Sequence, residues 1–580
     1  MEVIKAMINL HPGIILLVGA FLALILRQQL LRQGIMILAP ALALVSLLNI
    51  RVGTSFSYNF INDMELIILK VDRLSWLFGL IFCIVALVAN IYALHVKRRG
   101  ENVAGLAYAG CSLGVVFAGD WITMIFFWEV MAVASVLLIW NRKVPEAIKA
   151  GFRYILVHFF GGNLLLAGIF LKVSEGQIEI TSLTNTNDAA FWLILLGISI
   201  NAAIPPLHAW LTDAYPEGTV SGSVFLSAFT TKVAVYALIR IFSGTEFLIW
   251  AGVIMALYGV VYAVLENDIR RLLAYHIVSQ VGYMVAAVGM GTYLALDGAA
   301  AHAFSHILYK SLLFMGAGAV IYATGKRKLT DLGGLWHKMP LVVILYMIGA
   351  FSISGVPLFN GFISKSMIIS AAASNGMLAV EALLYLASIG TFLSIALKLP
   401  YFMFFGPDRG IEPKKLPTNM IVAMVMGASL CILYGVMPSL LYQYLPFGSI
   451  YQPFTIEHVI STVQLLVATF AAFWIFIPRL GGKHTISIDT DWFYRKPLVY
   501  FVNFLIDISY IIRFQSGILG NRLIHFLIPF FTNPLKWLKS TKDEPAWPVY
   551  SENKYRFPIG TTILMTIIVC ITVYSFIWLT

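Results

Sequence analysis

Residues 298–323 read GAAAHAFSHILYKSLLFMGAGAVIYA. At about 1.5 Å per residue, a helix of this length reaches across the ~30 Å hydrocarbon core of a bilayer. It nevertheless carries His302, His306 and Lys310. The spacing i, i+4, i+8 keeps the three within about 80° of one helix face, spread over about 12 Å. Working outward in both directions, similar apolar runs recur to the ends of the chain, about sixteen in all, from about 10–27 to about 558–579. The 580 residues are 60% hydrophobic and only 12% Asp, Glu, Lys and Arg, where a soluble domain carries roughly 25% charged residues. Mean hydropathy is +0.86. The fold class is an all-α polytopic membrane protein with about 14–16 transmembrane helices. Soluble enzymes, nucleic-acid binders and secreted disulfide scaffolds are excluded, so no nucleic-acid partner is expected despite a net charge of +11. The partner this composition implies is the lipid bilayer.

Cys83, Cys111, Cys431 and Cys570 all lie inside apolar runs with no CxxC spacing. Haem attachment, iron–sulfur clusters and disulfides therefore lack ligands. Two histidines at i, i+4 could hold zinc, but no carboxylate of the HExxH kind accompanies them. No metal, no cofactor and no catalytic centre are expected in this chain. The first apolar run has no small-residue cleavage site and is followed at once by another, so it reads as a span.

Loop charges set the orientation. With the N-terminus outside, the inner loops collect Lys97, Arg98, Arg142, Arg153, Arg270, Arg271, Arg327, Lys414 and Lys415 among others, while the outer side holds Lys5, Arg51, Lys70, Lys172 and Arg240. That imbalance follows the positive-inside rule and places both termini outside the plasma membrane. The organisation reads as 1–101, N-terminal helices with an outer hairpin within 51–71; 102–243 and 247–406, two five-helix repeats; 417–479, further core helices; 480–557, an inner segment; and 558–580, a last span. In 480–557, apolar blocks (Leu498–Ile512, Leu523–Phe531) alternate with Arg513, Arg522, Lys536, Lys539 and Lys542. Such a mixture suits helices lying in the interface or along a partner.

The two repeats share a pattern. In each, the fourth span carries breakers (Pro205 and Pro206; Gly355 and Pro357) and the fifth carries a lysine (Lys232; Lys398). An odd number of spans per unit inverts topology, and inverted repeats place ion sites at mid-membrane beside broken helices. A charge at the bilayer centre costs about 2.5–3.5 kcal/mol on insertion scales and so marks function. Glu129, Lys232, His302, His306, Lys310 and Lys365 are the expected proton pathway. His158 and Lys398 are secondary candidates. Glu129 is expected to meet His158 across a helix pair or to pair with Lys232, and Lys398 lies near enough to the inner end to snorkel.

The motifs PLHAWLTDAYPEG (206–218), FTTKVAVYALIR (229–240), DIRRLLAYHIVSQVGYM (268–284) and HAFSHILYKSLLF (302–314) resemble the antiporter-like subunits shared by respiratory complex I, membrane-bound hydrogenases and Mrp-type Na⁺/H⁺ antiporters, the D-type Mrp proteins above all. The likeness covers about 70–480. It implies that Glu129 is the key glutamate of the fifth helix, Lys232 the lysine of the eighth, His302, His306 and Lys310 the central relay, and Lys365 the end of the row. The family usually has a lysine where Asn201 stands, and asparagine cannot carry the charge. The layout of 480–580 is similar to the lateral helix and last span of the longest complex I member. The resemblance implies a proton-translocating subunit of a multisubunit complex, with or without exchange for Na⁺. Alternatives are the pump module of a redox complex, a hydrogenase or NADH/quinone oxidoreductase with its electron carriers in partner subunits, and an ion-driven subunit for inorganic-carbon uptake.

Overall fold

The computed structural model describes residues 10–60, 65–184, 187–482, 488–532 and 558–579. Lys5, residues 483–487 and the stretch 533–557 with Lys536, Lys539 and Lys542 lie outside the described residues. The chain forms two units, Met1–Arg495 and Lys496–Thr580. Twelve described helices are long and apolar enough to cross a membrane, as the composition requires.

The first unit opens with α1 (Pro12–Ile25) and α2 (Gln29–Asn49), then the hairpin β1 (Ser55–Asn59) and β2 (Glu65–Lys70). The strands pair antiparallel with Ser55 opposite Lys70 and Tyr58 opposite Leu66, within the stretch where a hairpin is expected. Next come α3 (Arg73–Ala93), α4 (Arg99–Phe117), α5 (Trp121–Trp140) and α6 (Pro145–Ser174). Asp120 ties the hairpin to α5. Its carboxylate caps the helix by accepting from the Thr123 amide at 2.7 Å and also accepts the Ile67 amide of β2 at 2.7 Å. An aspartate at the N-cap satisfies donors that the first helical turn leaves orphaned.

Both expected breaks are present, and they share one geometry. Helix α7 (Ala189–Ala202) ends at Ala203, a left-handed residue with φ 60°, and α8 (Ala209–Ala214) follows. The Ile204 amide donates back to the Ser199 carbonyl at 3.1 Å. Farther along the chain, α14 (Pro340–Ser354) ends at Gly355 with φ 73°, and α15 (Asn360–Ser374) follows. There the Val356 amide donates to the Phe351 carbonyl at 3.1 Å. Each is a Schellman-type stop, sealed by Pro205 and Pro206 or by Pro357, which cannot continue a helix.

Between the breaks run α9 (Gly222–Ala228), α10 (Thr230–Ile241), α11 (Phe247–Leu265), α12 (Ile269–Met290) and α13 (Tyr293–Thr324). Phe229 separates α9 from α10, and the Thr230 amide freed there donates to the Tyr108 hydroxyl at 2.9 Å. Helices α11 and α12 approach backbone to backbone. A Cβ on Gly252, Gly259, Gly282 or Gly289 would overlap main-chain atoms of the facing helix. Without a hydrophobic drive between helices in lipid, such small-residue seams supply the van der Waals contact that holds them. α16 (Leu378–Thr391) continues into wide π turns at Phe392–Lys398 and Tyr401–Phe405; α17 (Thr418–Val436), α18 (Ser439–Tyr442), α19 (Ile456–Leu480) and α20 (Asp491–Arg495) complete the unit.

In the second unit, α21 (Pro497–Thr532) runs without interruption and none of its residues is buried. The two apolar blocks lie on one helix, continuous through Arg513, Gly517, Gly520 and Arg522, because no proline stands between them. At 36 residues it is about 54 Å long. α22 (Ile559–Leu579) follows. Cys83, Cys111 and Cys431 are buried, and Cys570 on α22 is exposed.

Candidate functional site

α13 is buried over most of its length, and His302, His306 and Lys310 have no exposed surface. His302 is held on three sides. Its Nδ1 lies 3.0 Å from Ser364 Oγ of α15, and its Nε2 lies 3.3 Å from Gln280 Oε1 of α12 and 3.4 Å from the Tyr309 hydroxyl. The His302 and His306 rings are 6.4 Å apart. Both His306 nitrogens and Lys310 Nζ lack a hydrogen-bond partner among the described residues. Buried polar atoms are seldom left so, and ordered water is the usual partner. Lys232, Lys310, His302 and Lys365 all act electrostatically on His306, so a charge at any one of them is felt by the ring.

Lys232, Lys365 and Lys398 share a feature that sequence does not display. Each is docked on carbonyls at a helix C-terminus. Lys232 Nζ donates to the Ser227 carbonyl near the end of α9 at 2.7 Å and to Thr231 Oγ1 at 3.0 Å. Lys365 Nζ donates to the Ile353 carbonyl at the end of α14 at 2.8 Å. Lys398 Nζ donates to the Val264 and Glu266 carbonyls where α11 stops. The last carbonyls of a helix have no intrahelical partner and carry the negative end of its dipole. A lysine there is partly compensated without a carboxylate. Lys398, the last residue of the first π stretch, therefore does not snorkel: it is 1% exposed.

Glu129 is half-buried on α5. Its carboxylate lies against Gly162 of α6, where a Cβ would overlap Oε1. The expected pairing with Lys232 does not form, since Lys232 is engaged at Ser227 and Thr231. The expected meeting with His158 is displaced by one turn. His158 packs its ring on Tyr154 and Trp210, at centroid distances of 4.1 and 4.5 Å, beside Asn201. The side-chain polar atoms of His158 and Asn201 have no geometric hydrogen-bond partner among the described residues. Pro205, Pro206, Gly355 and Pro357 occupy the two breaks, and Asn201 lies in the last turn before the first.

Three groups escaped the reading of the sequence. His276 Nε2 lies 2.6 Å from Ser394 Oγ in the π turns, and Gln280 Nε2 donates to Thr391 Oγ1 at 3.4 Å. The i, i+4 spacing of His276 and Gln280 within 268–284 was the available signal. The third is Asp489. His208 Nε2 lies 3.2 Å from its Oδ1, and the Tyr258 and Tyr275 hydroxyls donate to its two oxygens. Burial raises the Asp489 pKa, but hydrogen bonds from His208, the attraction of that ring and the two tyrosines more than offset it, holding the carboxyl well below the usual carboxylate range. Nearby, burial likewise raises the Glu217 pKa, and Arg327, Arg142 and Arg270 outweigh it. Among the described residues no group of three or more His, Cys, Asp or Glu is placed to hold a metal.

The charged ends of the helices sort into two sets. One contains Arg142, Arg153, Asp213, Glu217, Asp268 and Arg327, the other Lys70, Asp72, Lys172, Asp188 and Arg240. The site lies between them, along buried stretches of α5, α10, α12, α13 and α15.

A family model described as NADH:quinone oxidoreductase/Mrp antiporter, transmembrane, matches residues 118–394. An uncharacterized protein of Methanocaldococcus jannaschii is 32% identical over 387 residues, covering 62% of this chain and 80% of that protein. The D-type component of the Na⁺/H⁺ antiporter of Alkalihalophilus pseudofirmus is 28% identical over 467 residues, covering 74% and 93%. Other relatives are longer: the match to hydrogenase-4 component B of Escherichia coli, 29% identical over 420 residues, takes 64% of this chain and 62% of that protein. Among solved structures, a chain of the Mrp complex from Dietzia sp. DQ12-45-1b is 23% identical with a TM-score of 0.68, covering 80% of this chain and 99% of that one. A chain of the membrane-bound sulfane sulfur reductase, an archaeal respiratory membrane complex, is 23% identical with a TM-score of 0.70, covering 97% and 99%.

Proposed function

The chain belongs to the NADH:quinone oxidoreductase/Mrp antiporter transmembrane family, and from that premise we propose that it is a proton-translocating subunit of a multisubunit membrane complex. The observation that carries this reading is the buried row itself. Lys232, His306, Lys310, His302 and Lys365 have at most 3% exposure and are mutually coupled. No carboxylate is ion-paired with any of them among the described residues. Several adjacent cations in a low-dielectric interior repel one another strongly. The row therefore holds few protons at a time, and one arriving at Lys232 or Lys310 favours release from its neighbour. Glu129, His158 and Asn201 form the first half of the path, and Lys398, reached through Ser394 and His276, is a side branch.

The two five-helix stretches act as inverted halves, supported by their matched Schellman stops. The cation-rich face is cytoplasmic by the positive-inside rule, in a cell membrane, with the termini outside. Na⁺ is the candidate counter-ion for exchange. A second reading, the pump module of a redox-driven complex, is favoured by the sulfane sulfur reductase chain, whose fold matches 97% of this one and so takes in most of the tail.

The test is proton transport in inverted vesicles carrying the assembled complex. Glu129→Gln and Lys232→Ala should each abolish it while the subunits still co-purify. Wild-type transport in both would sink the proposal. Mass spectrometry of the gently solubilised complex separates the two readings: partners with iron–sulfur, nickel or flavin sites mark a redox pump, and small membrane subunits alone mark an antiporter.

A further inference from the structure

Lys365 opens on a space walled by both apolar side chains (Phe362, Ile369, Leu465) and polar ones. A cavity of ≈ 40 Å³ adjoins it, lined by Ser366, Ser370, Tyr385, Ser388, His458 and Thr462 among others. A cavity of about 10–15 Å³ already admits one water, given polar partners. At its far side three groups meet. Ser370 Oγ lies 3.2 Å from the Tyr451 hydroxyl and 3.5 Å from His458 Nε2, and the Tyr451 hydroxyl lies 3.5 Å from His458 Nδ1. Beyond Tyr451 is an open depression of ≈ 540 Å³ that Tyr451 itself also lines, with Tyr442, Gln443, Ser449 and Gln452. The depression lies in the connection from α17 to α19. Because α17 crosses the membrane after Arg409, Lys414 and Lys415, this connection is on the opposite, cation-poor face. Glu381 and Glu457 act electrostatically on Tyr385 at that end, a carboxylate setting that suits a departing cation.

We propose that Ser370, Tyr451 and His458 form an outlet gate between Lys365 and the cation-poor face, with His458 as the proton carrier; this rests on the proton-translocating reading above. The Lys365 ammonium gives one proton to the cavity and becomes an amine. Neutral His458 takes up one proton and becomes imidazolium, then loses it to water in the depression. The Lys365 amine is recharged from the His302 side, since that ring and Lys365 interact electrostatically. Serine and tyrosine hydroxyls both donate and accept, so they can pass a proton along. The ammonium of Lys365 repels Na⁺, which leaves the proton as the cation this outlet fits.

The test is transport by the full complex carrying His458→Gln or His458→Ala, with assembly checked by co-purification. Transport should fall about a hundredfold or more in both, the scale at which a positioned proton-transfer group acts, and added imidazole should restore the His458→Ala variant. Tyr451→Phe should slow transport without abolishing it. Wild-type rates in both His458 variants, or a loss in His458→Ala that imidazole leaves uncorrected, would overturn the gate. Lys365→Ala serves as the control. If it abolishes transport while the His458 variants run normally, only the outlet is wrong. If it too runs normally, the buried-row reading itself fails.

Discussion

Glu129 shows how closely one side chain is fitted. With a Cβ at 162 overlapping its Oε1, Gly162→Ala forces the carboxylate away from α6 without touching its chemistry. Proton transport should drop severalfold in Gly162→Ala with the complex intact, a smaller loss than in Glu129→Gln; equal rates in Gly162→Ala and wild type would show that the carboxylate's seat is immaterial. Lys398→Ala should leave the Val264 and Glu266 carbonyls unpartnered, costing about 1–3 kcal/mol each at most. A lower melting temperature of the solubilised complex checks this. Glu129, Lys232, His302, His306, Lys310 and Lys365 were readable in the sequence, since a charge inside an apolar run stands out, although His276 in α12 escaped the same reading. Their partners were not. Ser227, Ile353 and Val264 contribute only main-chain oxygens, which every residue possesses, so no pattern of side chains announces them. A Glu129–Lys232 pairing follows from charge alone, and it gives way to a helix end that serves the lysine equally well.

At the scale of elements, the two stops are alike in bonding but unlike in composition. Gly355 adopts its left-handed conformation freely, whereas Ala203 at φ 60° bears a Cβ penalty of roughly 1–2 kcal/mol. Ala203→Gly should raise the melting temperature. An unchanged or lower value would mean that the alanine methyl packs well enough to offset its strain. The strand-like run of 55–70, the breaks and the helix ends were visible as changes of period and as prolines. Asp489 was invisible, because its chief partner His208 is 281 positions away. Its depressed pKa gives a defined pH dependence. The native carboxyl titrates below the ordinary value of about 3.9, so its contribution is complete above that value and is lost as the pH falls through the lower native one. Removing one member of a buried pair costs about 3–5 kcal/mol. Asp489→Ala should therefore lower stability at pH 7 by an amount that shrinks in strong acid, as followed by thermal unfolding across pH.

For the molecule as a whole, length and hydropathy determined the membrane class, and loop charges divided its ends into two sets that the ion pairs respect. The assignment of 480–557 was less legible, because alternating apolar and basic blocks fit one long helix as well as two short ones. If the cation-rich face is cytoplasmic, a cysteine placed at Lys415 should react with a membrane-impermeant maleimide in inverted vesicles and stay silent in intact cells; the reverse would invert the topology. The background for such labelling is already prepared. Three native thiols are sealed in the interior and the fourth, Cys570, is turned outward from a helix of hydrocarbon character. Water-borne reagents do not partition into hydrocarbon, while lipid-soluble fluorophores do. The unaltered protein thus offers a single spectroscopic address on its last helix, quiet toward aqueous probes, against which every engineered loop cysteine can be read.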